Sequence, residues 1–186
     1  TRLGLAGATE APQPDALAGK VLVVAPTREL AVQLANEAAL VMPAPGAVQI
    51  VAVGAIPEAK LLLGASVIAC TAPELLALLD SEGDAAGVVV SVLSQVRVLV
   101  LDELDTLLPV STTFSKAAAK RRQAEHKKGG DSAAVPAELL VRAVVEASSA
   151  GDLQLLAASA TVSRPVRFKL ARVLRRDPLA RWYECP

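Results

Sequence analysis

In the stretch VRVLVLDELDTLLP, from Val96 to Pro109, an apolar run ends abruptly in three carboxylates, and this pattern indicates the class of fold. Its first six residues, Val96–Leu101, carry one charge, and the next four are Asp-Glu-Leu-Asp. The run is too short for a membrane span and does not alternate between apolar and polar residues, so it predicts a buried strand of a parallel sheet. In open α/β sheets, ligands bind at the carboxyl ends of the strands. We therefore expect the acids at the mouth of a ligand crevice.

Composition narrows the class of protein. The chain has 186 residues, which suits one domain, and 53% of them are hydrophobic but only 2% aromatic, so Ala, Val and Leu must form the core. Lys and Arg number 19, as do Asp and Glu, so the overall positive charge of many nucleic-acid-binding proteins is absent. Two cysteines and one histidine allow neither a disulfide framework nor a zinc site nor a histidine-based triad. No stretch approaches the roughly 20 apolar residues of a membrane helix, so no membrane contact is expected.

Apolar runs alternate with segments of helical character along the chain. Strands are predicted at 20–25, 48–53, 66–70, 96–101 and 153–159. Helices are predicted at 27–42, 72–81, 136–148 and 164–176. This alternation predicts an α/β fold with a parallel sheet covered by helices on both faces. Residues 1–19 are predicted to be a connector, and the domain at 20–186 is expected to contain an exposed basic insertion at 115–134, which either is simply solvated or contacts RNA or protein.

Four short motifs follow successive strands in a specific order. They are APTRELAVQ (25–33), CTAPELLALL (70–79), VLDELD (100–105) and SAT (159–161). The order resembles the first RecA-like domain of DEAD-box RNA helicases over residues 20–186, and the combination is specific although each motif alone would be weak. The resemblance implies a RecA-like fold of the P-loop NTPase type and ATP-dependent RNA remodelling. It also implies RNA, ATP and magnesium as ligands.

The resemblance assigns a role to each acid of the DELD motif. Asp102 would hold the magnesium ion of the nucleotide through water, and Glu103 would orient and deprotonate the attacking water. Asp105 would couple the nucleotide state to the RNA state through Ser159 and Thr161, whose hydroxyls can hydrogen-bond a carboxylate. The alternative is that the three acids only solvate a strand end and cap the next helix. Three carboxylates at one strand end would then repel one another unless a cation or hydrogen-bond donors offset them.

The PTREL motif suits contact with an RNA backbone. Thr27 can cap a helix that starts near Arg28, and the free N–H groups of such a helix start bind phosphate. By resemblance, Pro26, Thr27, Arg28 and Thr71 would contact RNA phosphates without reading bases. The alternative is an ordinary capped amphipathic helix.

The chain departs from the family pattern at three motif positions. Glu74 stands where the family has a phosphate-facing arginine, which is expected to repel RNA locally. Leu104 stands where the family has alanine, so the surrounding residues must repack. Gly54 is followed by Ala55, whereas the family usually has a pair of glycines that allow close backbone approach.

A phosphate-binding loop, G-x-x-x-x-G-K-[ST], occurs nowhere in these residues, and neither do the motifs of a second RecA-like domain. One interpretation is that Thr1 ends a phosphate loop whose remainder lies upstream. Two hypotheses stay open: a DEAD-box helicase completed by further sequence, and a degenerate helicase-like module that assists ribonucleoprotein assembly without ATP turnover. These residues alone are predicted to be inactive. An intracellular location is expected, and the composition is also compatible with an organelle such as the mitochondrion.

Overall fold

A five-stranded parallel sheet forms the centre of the domain. The computed structural model describes residues 19–42, 44–54, 57–110, 135–148, 153–161 and 163–174. Within these ranges the strands are β1 (Lys20–Ala25), β2 (Val48–Val51), β3 (Val67–Thr71), β4 (Val96–Leu101) and β5 (Gln154–Ala157). Their order across the sheet is β2-β3-β1-β4-β5, and every neighbouring pair is parallel. The predicted α/β fold with a parallel sheet is confirmed.

Helices connect the strands and cover the sheet. They are α1 (Arg28–Val41), α2 (Ala59–Gly64), α3 (Ala72–Leu79), α4 (Asp84–Ser94), α5 (Leu104–Leu107), α6 (Pro136–Ala147) and α7 (Arg164–Val173). All five residues of β3 are buried, as expected for a central strand with both faces covered. The core consists almost entirely of Ala, Val, Leu and Ile side chains contributed by strands and helices together. It is therefore the small aliphatic core that the composition predicts.

Helices α2, α4 and α5 are absent from the sequence-based prediction, which is a correction. The segment of α4, DAAGVVVSVLS, is rich in β-branched valine, which is typical of strands rather than helices. Its buried residues are Val89, Val92 and Leu93, and their spacing of three and four positions defines one face of a helix. Packing of this face into the core therefore outweighs the strand propensity of valine.

A buried lysine anchors the amino end of the central strand. The Lys20 ammonium group donates hydrogen bonds to the carbonyl oxygens of Leu63 at 2.8 Å and Ala65 at 2.6 Å, at the end of α2. These are carbonyls that a helix end leaves without an intrahelical partner, and a cation there also complements the helix dipole. Burial lowers the pKa of Lys20. This contact ties α2 to the sheet at the edge opposite the motifs.

Several predicted features lie outside the described residues. They include most of the predicted connector, residues 1–18, and the whole of the basic insertion at 115–134. No helix in the described part of the chain has the length and apolar character that crossing a membrane requires.

Candidate functional site at the carboxyl edge of the sheet

The parallel register brings four strand ends to one edge of the sheet. Ala25 at the end of β1 pairs with Thr71 at the end of β3. On the other side, Val24 pairs with Leu101, and Leu101 pairs with Ala157 at the end of β5. The segments that follow these four strands, which carry the four motifs, therefore lie along the same edge. This is the edge at which open α/β sheets bind ligands.

The segment 102–105, called here the acidic turn, is held between two strands by backbone hydrogen bonds. The N–H of Asp102 donates to the carbonyl of Val24 at 3.0 Å, and the N–H of Leu104 donates to the carbonyl of Ala158 at 2.9 Å. Within the turn, the Asp102 carboxylate accepts a hydrogen bond from the N–H of Glu103 at 3.0 Å. The backbone that carries the acids is therefore fixed on both sides.

Glu103 has an unusual backbone conformation. Its φ of 49° and ψ of 57° place it in the left-handed region, and among the described residues it is the only non-glycine with positive φ. Such a conformation costs about 1–3 kcal/mol and is enriched at functional sites. Glu103 occupies the N-cap position of α5 but makes no side-chain capping bond, and its side chain is exposed. The alternative in which this acid simply caps the next helix is therefore not supported.

Asp105 receives hydrogen bonds from two hydroxyls of the SAT segment. The Ser159 hydroxyl donates to one carboxylate oxygen at 2.8 Å, and the Thr161 hydroxyl donates to the other at 2.9 Å. The Ser159 bond first, and the Thr161 bond second, lower the pKa of Asp105. The hydrogen bonds anticipated from the sequence are present, and they join two segments more than fifty positions apart. A role for these bonds in coupling stays a prediction.

Because of these bonds, the stability of the domain is expected to fall in acid. The folded pKa of Asp105 lies below its ordinary value of 3.8, so the folded state binds fewer protons there than the unfolded chain. The contribution is fully present above the unfolded pKa and is lost as the pH falls from about 4 through the folded pKa. Urea unfolding at a series of pH values should show this loss as a decrease in the free energy of unfolding. In Asp105→Asn the free energy of unfolding should depend less steeply on pH.

The matched control is Asp80→Asn, because Asp80 is an exposed acid at the end of α3. This variant is expected to keep the pH dependence of the unaltered chain. Equal flattening in both variants would mean that the hydroxyl bonds to Asp105 add nothing to the stability of the fold.

The start of α1 presents a cation and a helix amino end at the same edge. The Thr27 hydroxyl accepts a hydrogen bond from the N–H of Leu30 at 3.3 Å, so Thr27 caps the helix as the sequence predicts. Arg28 is exposed and forms no ion pair within the described residues, while Pro26 is partly buried before it. The Arg28 guanidinium lies beside Gly54, 3.4 Å from the place where a Cβ would stand, and Gly54 has a φ of +72°. Glycine therefore suits this turn sterically and conformationally.

Thr71 is buried, so it is less accessible to a ligand than the exposed Thr27 and Arg28. It is 5% exposed, and its hydroxyl has no hydrogen-bond partner among the described residues, although it occupies the N-cap position of α3. Glu74 lies in the first turn of the same helix, and after burial it is the second cause of the raised pKa of Cys70. An acid therefore stands at this helix start. Contact between Thr71 and RNA stays a prediction.

The oxygen ligands at the edge suit a hydrated magnesium ion rather than a protein-enclosed metal. Among the described residues, no group of three or more His, Cys, Asp or Glu side chains could hold a metal ion. Asp102 is partly exposed and Glu103 exposed, so each can offer carboxylate oxygens at the crevice. Magnesium commonly binds proteins through one or two carboxylates and retains several waters. A water-mediated contact between Asp102 and magnesium stays a prediction.

A group of charged residues near the edge was missed by sequence reasoning. The Lys169 ammonium on α7 donates to the carbonyl of Pro109 at 3.0 Å and lies 3.9 Å from Glu138 on α6. Glu138, only 6% exposed, also receives a hydrogen bond from Arg142 at 2.6 Å. Burial lowers the pKa of Lys169, while Glu138 acts in the opposite direction. These contacts tie both helices to the segment after the acidic turn, and no local sequence signal indicates them.

The sequence matches the DEAD/DEAH box helicase family over residues 5–168, so the chain belongs to this family. Comparison with curated proteins finds no similar sequence. The five-stranded parallel sheet with its covering helices is the RecA-like domain of such helicases.

Solved structures of DEAD-box proteins share the fold at low identity. DEAD-box helicase Mss116, bound to ssRNA and UDP-BeF, is 23% identical with a TM-score of 0.59, over 86% of this chain and 29% of its own. A variant of Dbp5 from S. cerevisiae, bound to Nup159, a Gle1 variant, IP6 and ADP, is 20% identical with a TM-score of 0.56, over 87% and 35%. A DEAD box protein from Methanococcus jannaschii is 22% identical with a TM-score of 0.53, over 82% and 34%. The chain thus spans about a third of the length of these proteins.

Proposed function

We propose that this chain is the first RecA-like domain of a DEAD-box-type RNA helicase, in which it binds RNA and supplies half of an ATP-hydrolysing site. The observation that carries the proposal is the pair of hydroxyl bonds from Ser159 and Thr161 to Asp105. They connect the segment that carries Asp102 and Glu103 to a different strand end. A change at the nucleotide could thereby be transmitted to neighbouring segments of the same edge.

The RNA contact is assigned to the turn between β1 and α1. The amino end of a fourteen-residue helix attracts phosphate through free N–H groups and the helix dipole, and Arg28 adds a cation. This local arrangement allows a chain of zero net charge to bind a phosphate backbone without reading bases. The similar structure of Mss116 is bound to ssRNA, which supports RNA as the ligand.

The nucleotide contact is assigned to the acidic turn. Asp102 would hold a hydrated magnesium ion, and Glu103 would orient and deprotonate water, since phosphoryl transfer depends mainly on positioning and on charge neutralisation. The similar structure of Mss116 also holds UDP-BeF, which supports a nucleotide ligand. The 186 residues contain no phosphate-binding loop, so they do not provide a complete binding site for a triphosphate. ATP hydrolysis is therefore proposed only for a longer protein that includes this domain.

A second function is favoured by one feature of the same edge. Glu74 places a negative charge at the start of α3. A helicase-like module that assists ribonucleoprotein assembly without turning over ATP would tolerate this acid. Measuring turnover by the longer protein separates this module from an active helicase, whereas RNA binding is common to both.

The RNA assignment predicts a specific change in the salt dependence of binding. Arg28→Gln should weaken binding to a fluorescently labelled single-stranded RNA and reduce the slope of log affinity against log salt by about 0.7, the value of one phosphate contact. Glu74→Arg should strengthen binding and steepen the slope by a similar amount. Titrations by fluorescence anisotropy at several salt concentrations measure both slopes.

Lys60→Gln is the matched control, because Lys60 is an exposed cation on α2 and its replacement changes the net charge by the same amount. Its slope should equal that of the unaltered chain. If Arg28→Gln and Lys60→Gln behave alike, the RNA is not held at the start of α1, and this assignment fails.

A further inference from the structure

The outer face of α7 carries a basic stripe that the proposed function does not use. Arg164, Phe168 and Arg172 are exposed and four positions apart, so they lie on one face at intervals of about 6 Å along the helix axis. The opposite face is buried in the core through Val166, Leu170, Ala171 and Val173. The helix contains no acidic residue. The stripe is therefore a row of two cations with an aromatic side chain between them.

The centre of the stripe has the chemistry of a stacking platform. Phe168 is 41% exposed, in a chain in which aromatic residues make up only 2%. The Arg164 guanidinium lies 5.5 Å from the centroid of its ring. A cation over one side of the ring stabilises this exposed position and extends the planar surface. Neither Arg164 nor Arg172 forms an ion pair within the described residues.

The helix that carries the stripe is firmly attached to the domain. Lys169 points the other way, bonds to the Pro109 carbonyl and lies beside the buried carboxylate of Glu138. The stripe is thus presented on a fixed helix that begins shortly after the SAT segment. It is distinct from the start of α1, because α1 follows the central strand β1, whereas α7 follows the edge strand β5.

We propose that this stripe is a second contact surface for single-stranded RNA, with phosphates on Arg164 and Arg172 and a base stacked on the Phe168 platform. Proteins that bind single strands without sequence preference combine cations along the backbone with aromatic side chains under the bases. An acidic protein segment would require the two cations but would gain little from a central aromatic ring. The combination therefore favours RNA, and the inference does not require phosphate binding at Arg28.

The stripe predicts two separable effects on binding of a short, labelled oligoadenylate to the chain. The double variant Arg164→Gln with Arg172→Gln removes two phosphate contacts and should reduce the salt slope by about 1.4. Phe168→Leu should weaken binding by about fivefold, near the lower end of the range for base stacking, and should leave the salt slope unchanged. All three side chains are exposed, and the contact between Arg164 and the Phe168 ring contributes little at an exposed site, so each variant should remain folded in the absence of urea.

Two matched comparisons make the test decisive. Lys60→Gln, a charge change of the same sign on α2, should leave the slope unchanged. On an abasic strand of the same length, Phe168→Leu should have no effect because no base is present to stack. Unchanged binding by the stripe variants would overturn this inference, and if Arg28→Gln still reduces the slope, the proposed function stands without it. If polyglutamate competes as well as unlabelled RNA, and Phe168→Leu does not change binding of the labelled strand, the stripe is a surface for acidic protein. That result would also overturn the inference.

Discussion

The 186-residue chain, measured by itself, is expected neither to bind ATP–magnesium at micromolar concentration nor to hydrolyse it. Asp102 and Glu103 supply carboxylates for the metal and the water, but no stretch of these residues has the glycine spacing and the lysine that cradle phosphates. Each missing charge-assisted bond removes roughly 1.5–3 kcal/mol. Three such losses weaken binding by more than about a thousandfold, at about 1.4 kcal/mol per tenfold. Isothermal calorimetry and a phosphate-release assay measure the two outcomes.

Two variants would show where the nucleotide binds if the chain does bind ATP tightly. If the chain binds ATP tightly, Asp102→Asn and Glu103→Gln show whether the nucleotide occupies the acidic turn. Loss of binding in Asp102→Asn would locate the nucleotide at the acidic turn. Its phosphates would then be held by residues other than a phosphate-binding loop. Unchanged binding in both variants would place the nucleotide away from the carboxyl edge, and the catalytic assignment of these acids would be wrong.

Replacing Leu104 by alanine, the residue that the family carries in this motif, is expected to destabilise this particular domain. Leu104 is 1% exposed and belongs to the hydrophobic core, although it stands between two acids of the functional turn. Truncating a fully buried leucine costs about 2–5 kcal/mol, since the transfer energy of the removed atoms is lost and a cavity remains. Urea unfolding of Leu104→Ala should show a loss within this range.

Leu139→Ala is the matched control, because Leu139 is 44% exposed on α6 and loses the same atoms. Its cost should be about 1 kcal/mol or less. If Leu104→Ala costs no more than Leu139→Ala, the surrounding side chains collapse into the space. In that case leucine and alanine would be equivalent at position 104, and the core would not depend on the larger side chain.

The features predicted correctly from the sequence depend on local patterns. The bounds of β1 and β4 agree with the apolar runs at 20–25 and 96–101, because a buried strand shows itself as a short continuous run ending in a polar turn. The cap at Thr27 is equally local, since its partner is the N–H three positions later. The short strand β5 ends two positions earlier than predicted, at Ala157. The N–H of Ala158 still donates to the carbonyl of Leu101, but its own carbonyl accepts from Leu104 in the acidic turn, so the regular ladder stops there.

Other features depend on partners that no local window contains. Valine-rich α4 could be assigned only after its buried face was seen packed in the core. The left-handed backbone of Glu103 follows from a turn bonded on both sides by strands β1 and β5. The Lys169 contact joins positions sixty residues apart. Each of these results from packing or hydrogen bonding between distant segments, which local propensity does not encode.

The order of apolar runs and motifs in the sequence is enough to predict that the acids, the PTREL turn and the SAT segment share one edge, because they follow parallel strands, which all end on the same side of a sheet. Which of these side chains contact one another follows from the packing of the folded chain. The sheet order places β5 next to β4, so the SAT hydroxyls reach Asp105. The same packing turns Leu104 and the Thr71 hydroxyl inward and leaves Glu103 and Arg28 exposed. Side-chain direction at a strand end depends on the neighbouring strands and covering helices, and these are set by contacts distant in sequence.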